Sequence, residues 1–392
     1  MSHATRSSPG APPLRGVRVI GLEQSVAGPL CTRILADMGA TVTKWERAGE
    51  GDFARHWDDH AAGESAQFWW LNRGKGSVAV DLSDAGQRDA FMAQLHDTDV
   101  LVLNMSPRAA GRLGLTERRM REEYPQLVVC HISGYGAETS FADRKAYDML
   151  VQAESGIMSL TGTPDTPTRV GVSMCDVASG IYAATLVVAA VHRLRQDGHG
   201  AFLDVAMLDV AAEFLGPMLT SAANAGITYP RMPQHHHAIA PYGVYPCTDG
   251  KVLLAIEQDA EWSRFCDQIL HASHLAHDER FISNLDRVRN REAVDQLVRE
   301  AFASVTVDEA VELLATGGFA YARLNDVGAV LDHPVLGERG IVQTVPARGA
   351  GSVTTIDGLA ARAFGTVRMR ERPPTLGEDG NPFDHQALEM LE

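Results

Sequence analysis

The sequence predicts an α/β fold: a Rossmann-like large domain on a mostly parallel sheet, plus a smaller α+β domain. Three observations carry this. From Val17 to Ala206 short apolar runs alternate with helical segments, and strands separated by helices make βαβ units with right-handed crossovers. Composition then shifts at a Pro/His loop, Tyr229 to Tyr242, beyond which short strands and helices cluster. At 392 residues the chain can bury one large core or two domains.

In chain order, Val17–Leu22 reads as a strand and Leu30–Asp37 as a helix stopped near Gly39. Thr41–Trp45 and Ser77–Leu82 are strands, Asp84–Leu95 a helix, Val100–Leu103 and Leu127–Ile132 strands. Asp148 would cap a helix over Met149–Ser159. The apolar run Ile181 to Val191 is a buried helix ending near Arg195, before the Gly198-His199-Gly200 turn. Phe202–Ala206 is a strand and Met207–Ala223 one long helix. Past the Pro/His loop, Gly243–Tyr245 and Val252–Ile256 are strands around the Asp249-Gly250 turn. Glu261–Leu270, Arg291–Ala303 and Val307–Gly317 are helices, and strands return at Ile341–Val345 and Ser352–Ile356. The expected organisation is a disordered tail over 1–13, a large domain with its linker helix over 14–225, a small domain over 226–330, and a return to the large domain over 331–392.

The formal charge of −15 argues against a nucleic-acid surface, which needs clustered Lys and Arg, but leaves room for a local basic pocket. No apolar run reaches the roughly 18–20 residues of a membrane span, and the N-terminus lacks a signal-peptide core. The five cysteines are scattered and odd in number, without a Cys-x-x-Cys pair. Reduced thiols in a cytoplasmic protein are expected, not a disulfide or zinc framework.

Glu46, closing the second strand, invites a dinucleotide reading, since an acidic residue there holds a ribose. The first turn, Gly21-Leu22-Glu23-Gln24-Ser25-Val26-Ala27-Gly28-Pro29, lacks Gly-x-Gly-x-x-Gly. A pyrophosphate could not approach that backbone in the usual way, which argues against a nicotinamide enzyme.

Asp176 stands just before the apolar helix, at its expected N-cap. It is either a capping residue worth about 1 kcal/mol or a carboxylate nucleophile beside helix-terminal donors for an oxyanion. Position alone leaves both open.

Four stretches together resemble the family III CoA-transferases: Leu14 to Ile20, the Ala27-Gly28-Pro29 turn, the block from Lys145 to Gly180, and Pro373 to Glu378. That family includes formyl-CoA:oxalate and carnitine CoA-transferases and has α-methylacyl-CoA racemase as a relative. The resemblance spans nearly the whole chain. It implies transfer of CoA from an acyl-CoA donor to a small carboxylic acid, through an aspartyl anhydride and an aspartyl-CoA thioester, without a metal. By resemblance Asp176 is the nucleophile, with Tyr147 and Asp148 beside it. Racemases carry a His where Tyr147 stands, and a Tyr with pKa about 10 is a poor base. A racemase or epimerase on the same scaffold, and a non-catalytic CoA-binding subunit, remain the alternatives.

For CoA, the resemblance implies Arg47, Arg112 and Lys145 as phosphate cations. It implies backbone contacts at Val26, Ala27, Val80, Asp81, Leu82, Ser83, Asn104, Met105 and Ser106. Trp57 and His237 would border the acyl substrate. His235-His236-His237 is not expected to hold a metal, because adjacent side chains diverge in an extended loop. His131 lies in a strand and reads as structural. The glycine-run flap of the formyl-CoA enzymes is missing, which disfavours oxalate and formate. His237, Arg231 and Arg169 suggest by charge alone a partner for the second carboxylate of a dicarboxylate such as succinate. The resemblance also implies an interlocked homodimer.

Overall fold

The computed structural model describes residues 10–349 and 351–380. The expected N-terminal tail, as far as residue 9, lies outside the described residues. The chain forms two compact units. One comprises the described residues up to Ile157, Val170–Leu219, and those from Pro334 onward; the other comprises Met158–Arg169 and Thr220–His333.

The first unit is built on six parallel strands: β1 (Arg18–Leu22), β2 (Thr41–Arg47), β3 (Gly76–Val80), β4 (Val100–Leu103), β5 (Val128–Ser133) and β6 (Ala201–Ala206). Their order is β3-β2-β1-β4-β5-β6, the doubly wound arrangement that reverses direction between β1 and β4. The central strand β4 is apolar throughout, VLVL, because both of its faces are covered. On one face lie α1 (Ala27–Asp37) and the long helix Met174–Asp197, around Cys31, Leu35, Val102, Ala183 and Val187. On the other, Phe91, Leu95, Leu115 and Met120 pack on Leu101 and Val129.

Local sequence explains the boundaries. Pro29 sits in the first turn of α1, where its missing N–H costs nothing, and Gly39, at φ +94°, turns the chain away after it. Helix α2 (Ala66–Asn72) starts at Ser65, whose side chain accepts from the Phe68 N–H. Next come α3 (Ala85–Gln94), α4 (Pro107–Arg112), α5 (Glu117–Glu123), α6 (Asp148–Ser155), α7 (Ile157–Leu160), α8 (Met174–Asp197), α9 (Met207–Phe214) and α10 (Gly216–Ala225).

Three expected elements are corrected. The Met149–Ser159 helix is divided by Gly156, at φ +94°, and Met207–Ala223 is divided at Leu215–Gly216. Helix α8 begins at Met174, seven residues before the apolar run, so Asp176 lies inside its first turn and not at the N-cap. Helix α8 is also long and apolar enough to cross a membrane by length and composition, against the expectation that no run would be. Half of that apolar window is buried in the core of the unit.

The second unit pairs β7 (Tyr242–Pro246), β8 (Lys251–Ala255) and β9 (Ala320–Arg323) in an antiparallel sheet. The short β9 was not expected. Trp262, Phe265, Val294, Phe302 and Leu314, from the helices over 259–317, make its core. The Val307–Gly317 helix carries a Thr306/Glu309 capping box and ends at Gly318 in the left-handed region. Strands Val342–Pro346 and Ser352–Ile356 form a hairpin in the first unit.

Candidate active site

Open α/β sheets take ligands outside the carboxyl ends of their strands, at the point where strand order reverses. Here that point follows β1 and β4. The β1–α1 turn is held from both sides. Asn104, after β4, accepts the Gln24 N–H at 2.9 Å and donates to the Gln24 carbonyl at 2.7 Å. Asp52 accepts the Ser25 N–H at 3.1 Å. The N–H groups of Val26, Ala27 and Gly28, at the start of α1, donate to no acceptor among the described residues. They are donors of the kind that bind anions.

Helix α8 crosses α1 closely. A Cβ at Gly180 would lie 2.7 Å from the Ala27 carbonyl oxygen and 3.0 Å from Leu30 Cβ, so only glycine allows this approach. Val177 packs with Val26 and Leu30 in the same contact. The start of α1 is therefore held against the first turns of α8, which carry Asp176. Gly180→Ala is expected to lower stability by about 1–3 kcal/mol, because backbone must move to admit the methyl; a thermal melt of the variant checks it.

Asp148 organises the start of α8. Its Oδ1 accepts the N–H groups of Cys175 at 2.8 Å and Asp176 at 3.3 Å, and Gln152 donates to its Oδ2 at 2.7 Å. Gln152 also accepts the Val170 N–H at 2.8 Å. Asp148 was expected to cap its own helix; it caps α8 instead, while Tyr147 occupies the N-cap of α6. The Met174 and Val177 N–H groups are also bonded, to Val172 and Ser173 carbonyls. The donors of α8 are thus spent, which corrects the expectation that they face an oxyanion. The unspent donors belong to α1.

The half-buried Asp176 carboxyl accepts no hydrogen bond from the described residues. Burial, and then the neighbouring Asp148 charge, raise its pKa to about 7. Burial also pushes the adjacent Cys175 thiol up to about 12, so it stays protonated.

The other expected site residues divide between the two units. Arg47 ends β2, which was expected to stop at Trp45, and stands exposed with Glu50 at 3.2 Å. Val80 is the last residue of β3; Asp81 beyond it accepts the Ser83 N–H at 2.9 Å and hydroxyl at 2.6 Å. Leu82 and Met105 pack against the core under that edge. Ser106 caps α4, which the exposed Arg112 closes. Lys145 is exposed, and Tyr147 is 63% exposed. Trp57, 49% exposed, lies against Phe53 with ring centroids 6.4 Å apart. His131 is buried with Nε2 2.9 Å from the Met105 carbonyl oxygen.

His237 lies in the second unit. Its ring stacks on His236 and meets the edge of Tyr229. Burial, then His236 and Arg291, lower its pKa, which works against pairing a carboxylate by charge. Arg231 donates to the carbonyls of Thr163, at 2.7 Å, and Pro164. Those bonds occupy the guanidinium that was expected to meet a second carboxylate.

Sequence reasoning missed a buried charge cluster under the β1–α1 turn: Glu23, Lys44, Glu46, Asp52 and Lys75. Lys44 Nζ lies 2.9 Å from Asp52 and also meets Glu23. Lys75 donates to Pro29 O at 2.9 Å and to Asn72 at 2.8 Å; burial above all lowers its pKa to about 8. Arg55 binds both carboxylate oxygens of Glu46, at 2.8 and 2.7 Å, and Ser77 donates to Glu46 at 2.7 Å. Burial raises the pKa of Glu46, but Arg55 and Lys44 outweigh it, holding the carboxyl down at about 2. Glu46 is thereby occupied, and no ribose role is left to it. The available signal was a charged residue amid apolar ones in β2, TVTKWER.

A doubly wound sheet whose first turn leaves helix N–H donors unspent, and whose neighbouring helix carries a half-buried carboxyl without a hydrogen-bond partner among the described residues, is a framework for acyl transfer, without the glycine loop of a hydride-transfer enzyme. The sequence matches the CoA-transferase family III over residues 14–380, and the chain belongs to that family. It is 33% identical over 400 residues to an acyl-CoA transferase of Fusarium pseudograminearum, covering 98% of this chain and 85% of the relative. It is 31% identical over 389 residues to a succinate–glutarate CoA-transferase of Agrobacterium fabrum, covering 97% and 96%. The crystal structure of Rv3272 from Mycobacterium tuberculosis matches with TM-score 0.82 and 28% identity, over 95% of this chain and 98% of that one.

Proposed function

We propose that the protein moves CoA from an acyl-CoA to a small carboxylic acid, with Asp176 as the covalent nucleophile. The observation that carries this is the half-buried Asp176 carboxyl, without a hydrogen-bond partner among the described residues, in the first turn of the helix that packs on α1 through Gly180 and Val177. An ionised Asp176 oxygen attacks the thioester carbonyl; the C–S bond breaks and CoA thiolate leaves. Asp176 then carries the acyl group as a mixed anhydride. Thiolate attack on the Asp176 carbonyl releases the donor acid and leaves an aspartyl thioester. The acceptor carboxylate attacks that thioester, the thiolate returns to the acceptor's carbonyl carbon, and the Asp176 carboxylate is freed. No net proton or electron is consumed, so the residues have only to position and stabilise charge.

The chain offers what the CoA moiety needs: N–H groups at Val26 and Ala27 for negative oxygens, and exposed cations at Arg47, Arg112 and Lys145 for phosphates. Tyr147, beside Asp148, and Trp57 are proposed to border the CoA and acyl groups. The Agrobacterium relative, named for succinate and glutarate, supports a dicarboxylate acceptor. Exposed apolar side chains on α8, Ile181, Tyr182 and Leu186, support a homodimer that covers them.

Intact-mass spectrometry after mixing with succinyl-CoA or acetyl-CoA, followed by hydroxylamine and borohydride treatment, tests the reading. A labile adduct mapped to Asp176 is expected. Deuterium exchange at the α-carbon of a branched acyl-CoA without an adduct would make the protein a racemase. CoA affinity with neither would make it a non-catalytic subunit.

A further inference from the structure

The buried charges under the β1–α1 turn have a common target. Lys44 Nζ donates to the Glu23 carbonyl at 2.7 Å, Lys75 Nζ to the Pro29 carbonyl at 2.9 Å, and Asp52 Oδ1 accepts the Ser25 N–H at 3.1 Å. Charged side chains from β2, from the loop after it and from the α2–β3 turn thus grip the backbone of one short turn. Buried ion pairs seldom add stability over apolar residues of the same size, so stability alone is a weak reason for this cluster. Ser25 sharpens the point. It holds φ +70°, a left-handed conformation unfavourable for a residue with a Cβ. The Asp52 bond at Ser25 and the Asn104 clamp at Gln24 keep it there.

Asp52 also reaches in a second direction. The same Oδ1 accepts the Ala54 N–H at 2.9 Å and starts the 3-10 turn Phe53–His56. That turn raises two exposed aromatic rings, Phe53 and Trp57. Its own N–H is held by Glu46 at 3.0 Å, and its other oxygen faces Lys44 at 2.9 Å. One carboxylate therefore joins the turn that presents the Val26 and Ala27 N–H groups to the aromatic pair.

We infer that Asp52 is a positioning residue, which locks the β1–α1 turn in its strained conformation and ties it to the Phe53–Trp57 ridge, so that CoA meets a preformed site. Binding to a preformed turn avoids the ordering cost that a loose one imposes. Asp176 and Asp148 are fixed separately, through α6 and α8, and the Val26 and Ala27 N–H groups are proposed here for the CoA moiety and not for the reacting carbonyl, so the chemical step is left largely intact when Asp52 is altered. The inference rests on the proposed CoA site.

The test measures CoA affinity by calorimetry, and the rate of adduct formation at saturating acyl-CoA, in Asp52→Ala and Asp52→Asn. Asparagine keeps an oxygen for the Ser25 and Ala54 N–H groups; alanine keeps neither. Asp52→Ala is expected to weaken CoA binding about tenfold while the saturated rate stays within about threefold, and Asp52→Asn to lose less, because it keeps the Oδ1 bonds while setting its amide against Lys44. Should Asp52→Ala fail to fold, Asp52→Ser, which can still cap the 3-10 turn but is too short to span both bonds, is expected to show the same loss. Unchanged CoA affinity in a folded Ala or Ser variant would overturn the positioning role. Wild-type protein that binds no CoA would instead defeat the proposed site, and this role with it.

Discussion

Asp176→Asn is expected to lose CoA transfer by about 10⁴-fold or more, yet to give a folded protein that is more stable than wild type at pH 8. The first effect follows from removing the nucleophilic oxygen anion; an amide cannot form the anhydride. The second follows from linkage. The folded carboxyl has a pKa raised to about 7, chiefly by burial and then by Asp148, from an ordinary 3.8. Between those values the native state binds the proton and the unfolded chain does not. Stability contributed by the neutral carboxyl is therefore lost as pH rises from about 4 to about 7, and the penalty persists above. Asparagine carries no charge at any of these pH values and escapes it. After allowance for partial exposure, the variant's advantage is about 2 kcal/mol at pH 8, shrinking toward zero near pH 4. Denaturant melts at both pH values measure it. An active Asn variant would defeat the assignment, and one no more stable at pH 8 than at pH 4 would defeat the electrostatic account.

The pH dependence of adduct formation is the second large effect. Only ionised Asp176 attacks, so the rate at low acyl-CoA should climb through a midpoint near the pKa of about 7 and level off above it. At pH 5 about one molecule in a hundred carries the carboxylate, and the rate should fall about a hundredfold from its plateau. Asp148→Asn tells this titration from that of the substrate phosphates. It removes the second cause of the raised pKa but keeps an acceptor for the Cys175 and Asp176 N–H groups. The midpoint should move to lower pH while remaining above 3.8, because burial, the larger cause, is untouched. Gln152 must turn its amide to meet the new side chain, giving up the Val170 N–H at a cost of about 1 kcal/mol. Stopped-flow or quenched mass spectrometry of wild type and variant across pH 5–9 gives both curves. A midpoint identical in the two would show that Asp176 is not the group titrating.

Much of the sheet was legible because its period is simple. Strands such as Val100–Leu103 are uninterrupted apolar runs between helical segments, and burial on both faces leaves few other readings. The start of α8 was misplaced for a related reason. Met174-Cys175-Asp176 carries no helical periodicity of its own, and the groups that complete its first turn come from Asp148, 28 residues away from Asp176 in sequence. A bond across that separation leaves no mark in a local window.

What the sequence by itself determined is the alternation of strands and helices and the apolar interior, since these follow from local periodicity, while the pairing of Asp148 with Asp176 came from the family resemblance. What only the tertiary structure decided is which of those residues share an environment. Asp148 became the cap of α8 and not of its own helix, and Gly180 became the point where α1 and α8 touch. Lys44 and Lys75, far apart in sequence, came together in a buried cluster around Glu23 and Asp52. The physical reason is that hydrogen bonds and charges act over a few ångströms in space, whatever the distance along the chain. The raised pKa of Asp176 is of the same kind: it belongs to the burial and the neighbour that folding supplies, and no property of an isolated aspartate contains it.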